Sequence, residues 1–172
     1  MNIALSLTCL RLILSPLLLA PLIAMQAPVS ITFTCYIFLA ATDFFDGFFA
    51  RLFKQTSSFG AFLDQFSDKV FLFSVMFATV YTHQLPVQWA LLLCVRELWV
   101  MGLREWGMQQ NITLPVIPIA KFKTAAQMIL FAWLLVASPN FLYSAFLTTF
   151  LCSLTVCLSY SSAYLYTKKI FF

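Results

Sequence analysis

Between Asp43 and Lys69 the chain reads DFFDGFFARLFKQTSSFGAFLDQFSDK, and the fold turns on how this stretch is understood. The protein has six acidic residues, and four of them, Asp43, Asp46, Asp64 and Asp68, lie here among phenylalanines and other apolar side chains. Asp43 and Asp46 are three residues apart and Asp64 and Asp68 four apart, so on helices each pair projects from one face. A turn near Gln55 to Ser58 would set the two helices side by side. Counting back from it at 1.5 Å per residue places all four carboxylates in one layer, roughly 10 to 15 Å away.

The flanking sequence belongs in a bilayer. Of 172 residues, 62% are hydrophobic, 9% are charged and twenty are phenylalanine, which is too apolar for an ordinary water-soluble domain. Breakers and charges divide the chain into six predicted spans: Ser6 to Met25, Val29 to Lys54, Phe59 to Thr82, Pro86 to Gly107, Ile119 to Ser138 and Asn140 to Thr167. Gln26-Ala27-Pro28, His83-Gln84-Leu85 and Ser138-Pro139-Asn140 suit tight turns. Unpaired backbone is costly in hydrocarbon, and the spans lack the alternation of a membrane barrel. The expectation is therefore one all-α integral membrane domain over residues 1–172, a six-transmembrane-helix bundle.

Loop charges supply an orientation. Arg51 and Lys54, then Arg104, Lys121 and Lys123, then Lys168 and Lys169 fall on one side, and the three opposite loops hold no lysine or arginine. The positive-inside rule puts that side, with both termini, in the cytoplasm, where the sequon Asn111-Ile112-Thr113 is a chance match. In such a protein a net charge of +4 reports topology and anionic headgroups, so it gives no support for nucleic-acid binding. Cys9, Cys35, Cys94, Cys152 and Cys157 lie in apolar runs without a CxxC pair and read as free thiols. Leu5 to Met25 reads as a retained span, because no basic residue precedes it and Arg11 interrupts it.

An aspartate at the middle of a membrane helix costs about 2.5 to 3.5 kcal/mol on insertion scales, so four together require compensation. Divalent cations supply it. Oxygen-only ligands favour magnesium, then manganese, whereas zinc would recruit histidine or cysteine, and the sole histidine, His83, falls on the opposite side. Gly47 and Ala50 share the face of Asp43 and Asp46, and Gly60 opens the next span. Small residues also serve close helix packing, but beside four carboxylates they leave room for a ligand.

Together these positions read Asp43-x2-Asp46-Gly47-x2-Ala50-Arg51-x8-Gly60-x3-Asp64-x3-Asp68, which resembles the complete signature of the CDP-alcohol phosphatidyltransferases, a family with a six-helix membrane fold. Thr8-Cys9-Leu10-Arg11, Arg96-Glu97, Leu103-Arg104-Glu105-Trp106 and Lys121-Phe122-Lys123-Thr124 with Gln127 resemble the branch whose acceptor is glycerol 3-phosphate. The chain departs from that branch at Gln65, Ala120 and Ala4, which stand in place of proline, glycine and proline.

The resemblance implies transfer of the phosphatidyl group of CDP-diacylglycerol to glycerol 3-phosphate in phospholipid biosynthesis, with release of CMP. It implies two Mg2+ or Mn2+ ions held by Asp43, Asp46, Asp64 and Asp68, Asp68 as general base, and CDP-diacylglycerol held at Gly47, Ala50, Arg51 and Gly60. The acceptor phosphate would meet Arg96, Arg104, Lys121 and Lys123, whose bland reading is anchoring at the interface. Arg96 lies within a span beside Glu97, where a charge needs a partner or a polar cavity. Glu97 either orients a cation or forms a structural pair. Thr8 and Arg11 are secondary contacts to donor or acceptor, and snorkelling to the cytoplasmic interface accounts for Arg11 nearly as well. A homodimer in a bacterial-type inner membrane, with a cytoplasmic active site, completes the expectation. Two rivals remain: the same chemistry on serine, inositol phosphate or phosphatidylglycerol, and a divalent-cation transporter. Transport gives no reason for Arg51 beside a cation path. A non-catalytic scaffold would carry the carboxylates' insertion cost without a use for them.

Overall fold

The computed structural model describes residues 3–52, 58–110, 117–137 and 144–171, and side chains for 6–42, 60, 62–110, 117–137 and 145–170. Every regular element among them is helical: α1 (Ile3–Leu14), a π-helical turn (Ser15–Leu19), α2 (Ala20–Ala24), α3 (Val29–Leu52), α4 (Ser58–Tyr81), α5 (Val87–Gln109), α6 (Pro118–Val136) and α7 (Ser144–Phe171). These coincide with the predicted helical stretches to within a few residues. Ser6–Ala24, Pro118–Val136 and Ala145–Ile170 are long and apolar enough to cross a membrane. The chain divides into two compact units, Met1–Gln84 and Leu85–Phe172.

In the first unit α1 packs on α3 and α4, and α2 on α4. The π turn has a local cause. Pro16 has no N–H for the carbonyl one turn back and its ring crowds that carbonyl, so the helix widens there. Ser15 Oγ donates to the Arg11 carbonyl at 2.6 Å within the same segment. Residues 11, 15, 19 and 23 are all buried, and the seam changes from Arg11 and Ser15 to Leu19 and Ile23. Tyr36 of α3 stacks on Phe71 of α4, with ring centroids 5.6 Å apart.

Two predicted turns close by the same device. Ala27 N–H bonds back to the Leu22 carbonyl and Gln84 N–H to the Thr79 carbonyl, each at 3.0 Å. The residue before each donor, Gln26 (φ 53°) or His83 (φ 60°), takes the left-handed conformation that such a helix ending requires. Pro28 and Pro86 then precede α3 and α5, where a missing N–H is no loss.

In the second unit α5 and α6 both pack against α7. Val100, Leu103, Ala163 and Tyr166 form one apolar cluster, joined by Ile117, Ala120 and Ile170. In both units large apolar side chains such as Leu17, Phe77 and Phe146 face outward, while Arg11, Ser67, Arg96, Glu97, Lys123 and Gln127 are buried. Such a surface suits hydrocarbon, where helices associate through packing and interhelical polar contacts and charged groups face the interior.

Candidate functional site

Helix α4 presents Asp64 and Asp68 one turn apart, and α1 brings Arg11 to both of them. Arg11 Nη2 lies 3.1 Å from Asp64 Oδ1 and 2.9 Å from Asp68 Oδ1, so the two oxygens converge on one point and lie no more than about 6 Å apart. Arg11 Nε donates to Ser67 Oγ at 3.0 Å, and Ser67 Oγ donates in turn to the Thr8 carbonyl at 3.2 Å. The arginine side chain is 1% exposed, whereas those of Asp64 and Asp68 are 45% and 46% exposed. A buried cation thus stands behind two half-open carboxylates, which excludes the snorkelling alternative for Arg11.

The local chemistry fits a hard divalent ion. Two carboxylates converge, all donors are oxygen, and each carboxylate offers about four lone-pair sites, so pairing with Arg11 does not by itself exhaust either group. Asp43, Asp46, Gly47, Ala50 and Arg51 fall on α3, and their side chains lie outside the described residues. With that part of the predicted set not described, no cluster of three or more metal-ligating side chains is found among the described residues. Gly60 lies on the first turn of α4 and is partly buried.

The second unit holds its own buried ionic cluster. Glu97 Oε1 accepts from Arg96 Nη1 at 3.0 Å and also from Lys123 Nζ, so one carboxylate on α5 joins a neighbouring arginine to a lysine on α6. Arg96 reaches α7 as well, donating from Nε to the Ser159 carbonyl at 2.9 Å and from Nη2 to Ser162 Oγ. Three of its five N–H groups are thereby engaged. Arg96, Glu97 and Lys123 are at most 4% exposed, and the trio carries a net positive charge.

The remaining predicted cations are set differently. Arg104 donates to the Tyr166 hydroxyl at 3.1 Å, with its guanidinium 5.2 Å from the ring centroid. That hydroxyl also accepts from the Ile117 N–H at 3.3 Å. Lys121 is exposed although Lys123 is buried, because two residues of helix turn the side chains about 200° apart.

Sequence reasoning missed Ser67, Ser159, Ser162 and Tyr166 as partners of these charges. A signal existed for three of them: Thr155, Ser159, Ser162 and Tyr166 repeat at helical spacing, and all four are 0% exposed. Gln127, one turn from Lys123 and 1% exposed, has no hydrogen-bond partner for Oε1 or Nε2 among the described residues.

An all-helical membrane protein with paired carboxylates on one helix and a buried cationic cluster on others is the class that fold and site define. The family model for CDP-alcohol phosphatidyltransferase matches residues 1–160, and the chain belongs to that family. It is 39% identical over 133 residues to the CDP-diacylglycerol–glycerol-3-phosphate 3-phosphatidyltransferase of Cereibacter sphaeroides, covering 73% of this chain and 59% of that protein. The protein of the same name from Salmonella choleraesuis is 38% identical over 144 residues, covering 78% of this chain and 76% of the relative. The Escherichia coli (strain K12) protein is 41% identical over 103 residues, covering 56% and 55%. The chain thus spans little more than half the length of two of these three relatives.

Proposed function

We propose that this protein transfers the phosphatidyl group of CDP-diacylglycerol to glycerol 3-phosphate, forming phosphatidylglycerophosphate and CMP. The observation that carries this is the convergence of Asp64 and Asp68 on one point while both remain half exposed. Family membership, and relatives named for this donor and acceptor, support the choice of substrates.

Asp43, Asp46, Asp64 and Asp68 would hold Mg2+ or Mn2+, two ions when loaded. Bound there, the metal supplies Lewis-acid stabilisation of pyrophosphate charge and of the departing CMP. Gly47, Ala50 and Gly60 make room for the nucleotide, and Arg51 contacts its phosphates. Asp68 takes the proton from the acceptor's primary hydroxyl. A new bond forms from that oxygen to the phosphatidyl phosphorus as the phosphorus–oxygen bond to CMP breaks. Arg96 and Lys123, held by Glu97, give the acceptor phosphate a cationic seat, with Arg104 and Lys121 adding charge. Thr8 and Arg11 are secondary contacts to donor or acceptor.

The full architecture in this reading is a six-span bundle in a bacterial-type inner membrane, with both termini and the active site cytoplasmic, working as a homodimer. Arg51, in the same motif as the carboxylates, has a use against nucleotide phosphates and none along a cation path, which disfavours transport.

Purified protein given CDP-diacylglycerol, Mg2+ and each of glycerol 3-phosphate, serine, inositol phosphate and phosphatidylglycerol tests the reading through CMP release. Glycerol 3-phosphate should support turnover, and efficient transfer to serine without it would refute the acceptor. Asp68→Asn should abolish turnover while retaining donor binding; full activity would remove Asp68 from the mechanism.

A further inference from the structure

We infer that Arg11 is a built-in counter-cation of the carboxylate site, one that competes with an incoming divalent ion for Asp64 and Asp68. The inference rests on the reading above, in which those two residues are metal ligands, and adds a competitor for their charge.

Three observations carry it. The first is position: a single nitrogen, Nη2, lies 3.1 and 2.9 Å from one oxygen of each carboxylate, at the point on which they converge. The second is fixation. Arg11 Nε is bound to Ser67 Oγ, Ser67 Oγ to the Thr8 carbonyl, and Ser15 Oγ to the Arg11 carbonyl. Both the guanidinium and the backbone beneath it are therefore held. The third is burial: at 1% exposure, the charge of Arg11 is poorly screened by solvent, so its pairing with the acids matters more than that of a surface arginine.

The physical role follows from charge. Two carboxylates one turn apart in an apolar helix repel each other, and a fixed guanidinium bound to both offsets that repulsion and holds them aimed before metal arrives. A hard ion binds carboxylate oxygen at about 2.1 Å, well inside the separation from Nη2, so ion and guanidinium cannot share that point. Arg11 either withdraws from its carboxylates or remains as a like charge beside the metal. Both outcomes weaken metal binding. Arg11 is thus a positioning residue that also sets how tightly the site loads.

The test is Mn2+ binding to the purified full chain in detergent at pH 8, followed by the electron paramagnetic resonance signal of free Mn2+, with no substrate present. Arg11→Met should bind Mn2+ about tenfold more tightly than wild type, an allowance well below the unscreened charge effect because the acids are half exposed. Added guanidinium chloride should weaken Mn2+ binding by Arg11→Met and leave wild type unchanged. Arg11→Lys keeps a positive charge for folding but loses the bond to Ser67 and the fork between the acids. It should fall between Arg11→Met and wild type, and it decides the matter if Arg11→Met does not fold. Unchanged or weaker Mn2+ binding in the Arg11 variants, with Asp64→Asn and Asp68→Asn still losing it, overturns the counter-cation alone. Mn2+ binding like wild type in both asparagine variants overturns the metal reading beneath it.

Discussion

Replacing Glu97 by glutamine takes away the carboxylate that Arg96 and Lys123 share and leaves their two positive charges inside the second unit. Glu97 is 1% exposed, Arg96 and Lys123 4% each, so water does little to screen the change. Breaking a buried pair from one side costs about 3 to 5 kcal/mol, because the partner charge stays behind. Arg96 keeps the Ser159 carbonyl and Ser162 Oγ as acceptors, and glutamine keeps a carbonyl oxygen near Lys123, so the expected loss is about 3 kcal/mol. All four tryptophans of the chain, Trp89, Trp99, Trp106 and Trp133, lie in this unit. Two of them bond to α7, Trp99 to Thr167 and Trp133 to Thr148, so intrinsic fluorescence during denaturation in mixed micelles reports the helices concerned. Adding Lys123→Met to Glu97→Gln removes one stranded charge and should recover part of the loss, giving a favourable coupling in a double-mutant cycle. A Glu97→Gln protein as stable as wild type, or a double variant whose losses simply add, would refute the view that this trio is held by its shared carboxylate.

Two further predictions concern neighbouring polar groups. Ser67→Ala removes the acceptor for Arg11 Nε and the bond to the Thr8 carbonyl, and should lower stability by about 1 to 3 kcal/mol, read by thermal unfolding. Gln127→Leu replaces a buried amide that has no partner among the described residues, and the substrate-free protein should gain about 1 to 3 kcal/mol by the same measurement.

Much of the fold is legible because proline and short polar segments punctuate the apolar runs, and each helix begins or ends close to one. Charge separates the helices further. Three of them, or parts of them, read as plain membrane spans by length and apolarity, whereas α4 carries Asp64, Asp68 and Lys69, and α5 carries Arg96, Glu97, Arg104 and Glu105. The same charges that weaken the span signal mark the site.

Partnership is where the sequence runs out. The spacing of Asp64 and Asp68 puts them on one face, but nothing local says that Arg11, 53 residues before the first of them, turns inward to meet both. An arginine near a helix end satisfies the same pattern by reaching for the interface. Lys121 and Lys123 look alike in sequence and differ in burial because alternate positions on a helix face opposite ways. Ser159 and Ser162 repeat on one face of α7, but nothing in the sequence says that an arginine from another helix meets them there.

The widened turn at Ser15–Leu19 has a bearing on how this segment tolerates change in length. Each helical residue carries the chain around by about 100°, so losing or gaining one there acts as a twist rather than a shortening. The half before the turn aims a guanidinium, and the half after it supplies grease for α4. A single inserted codon would set those two jobs at odds, leaving one half docked and the other pointed at lipid.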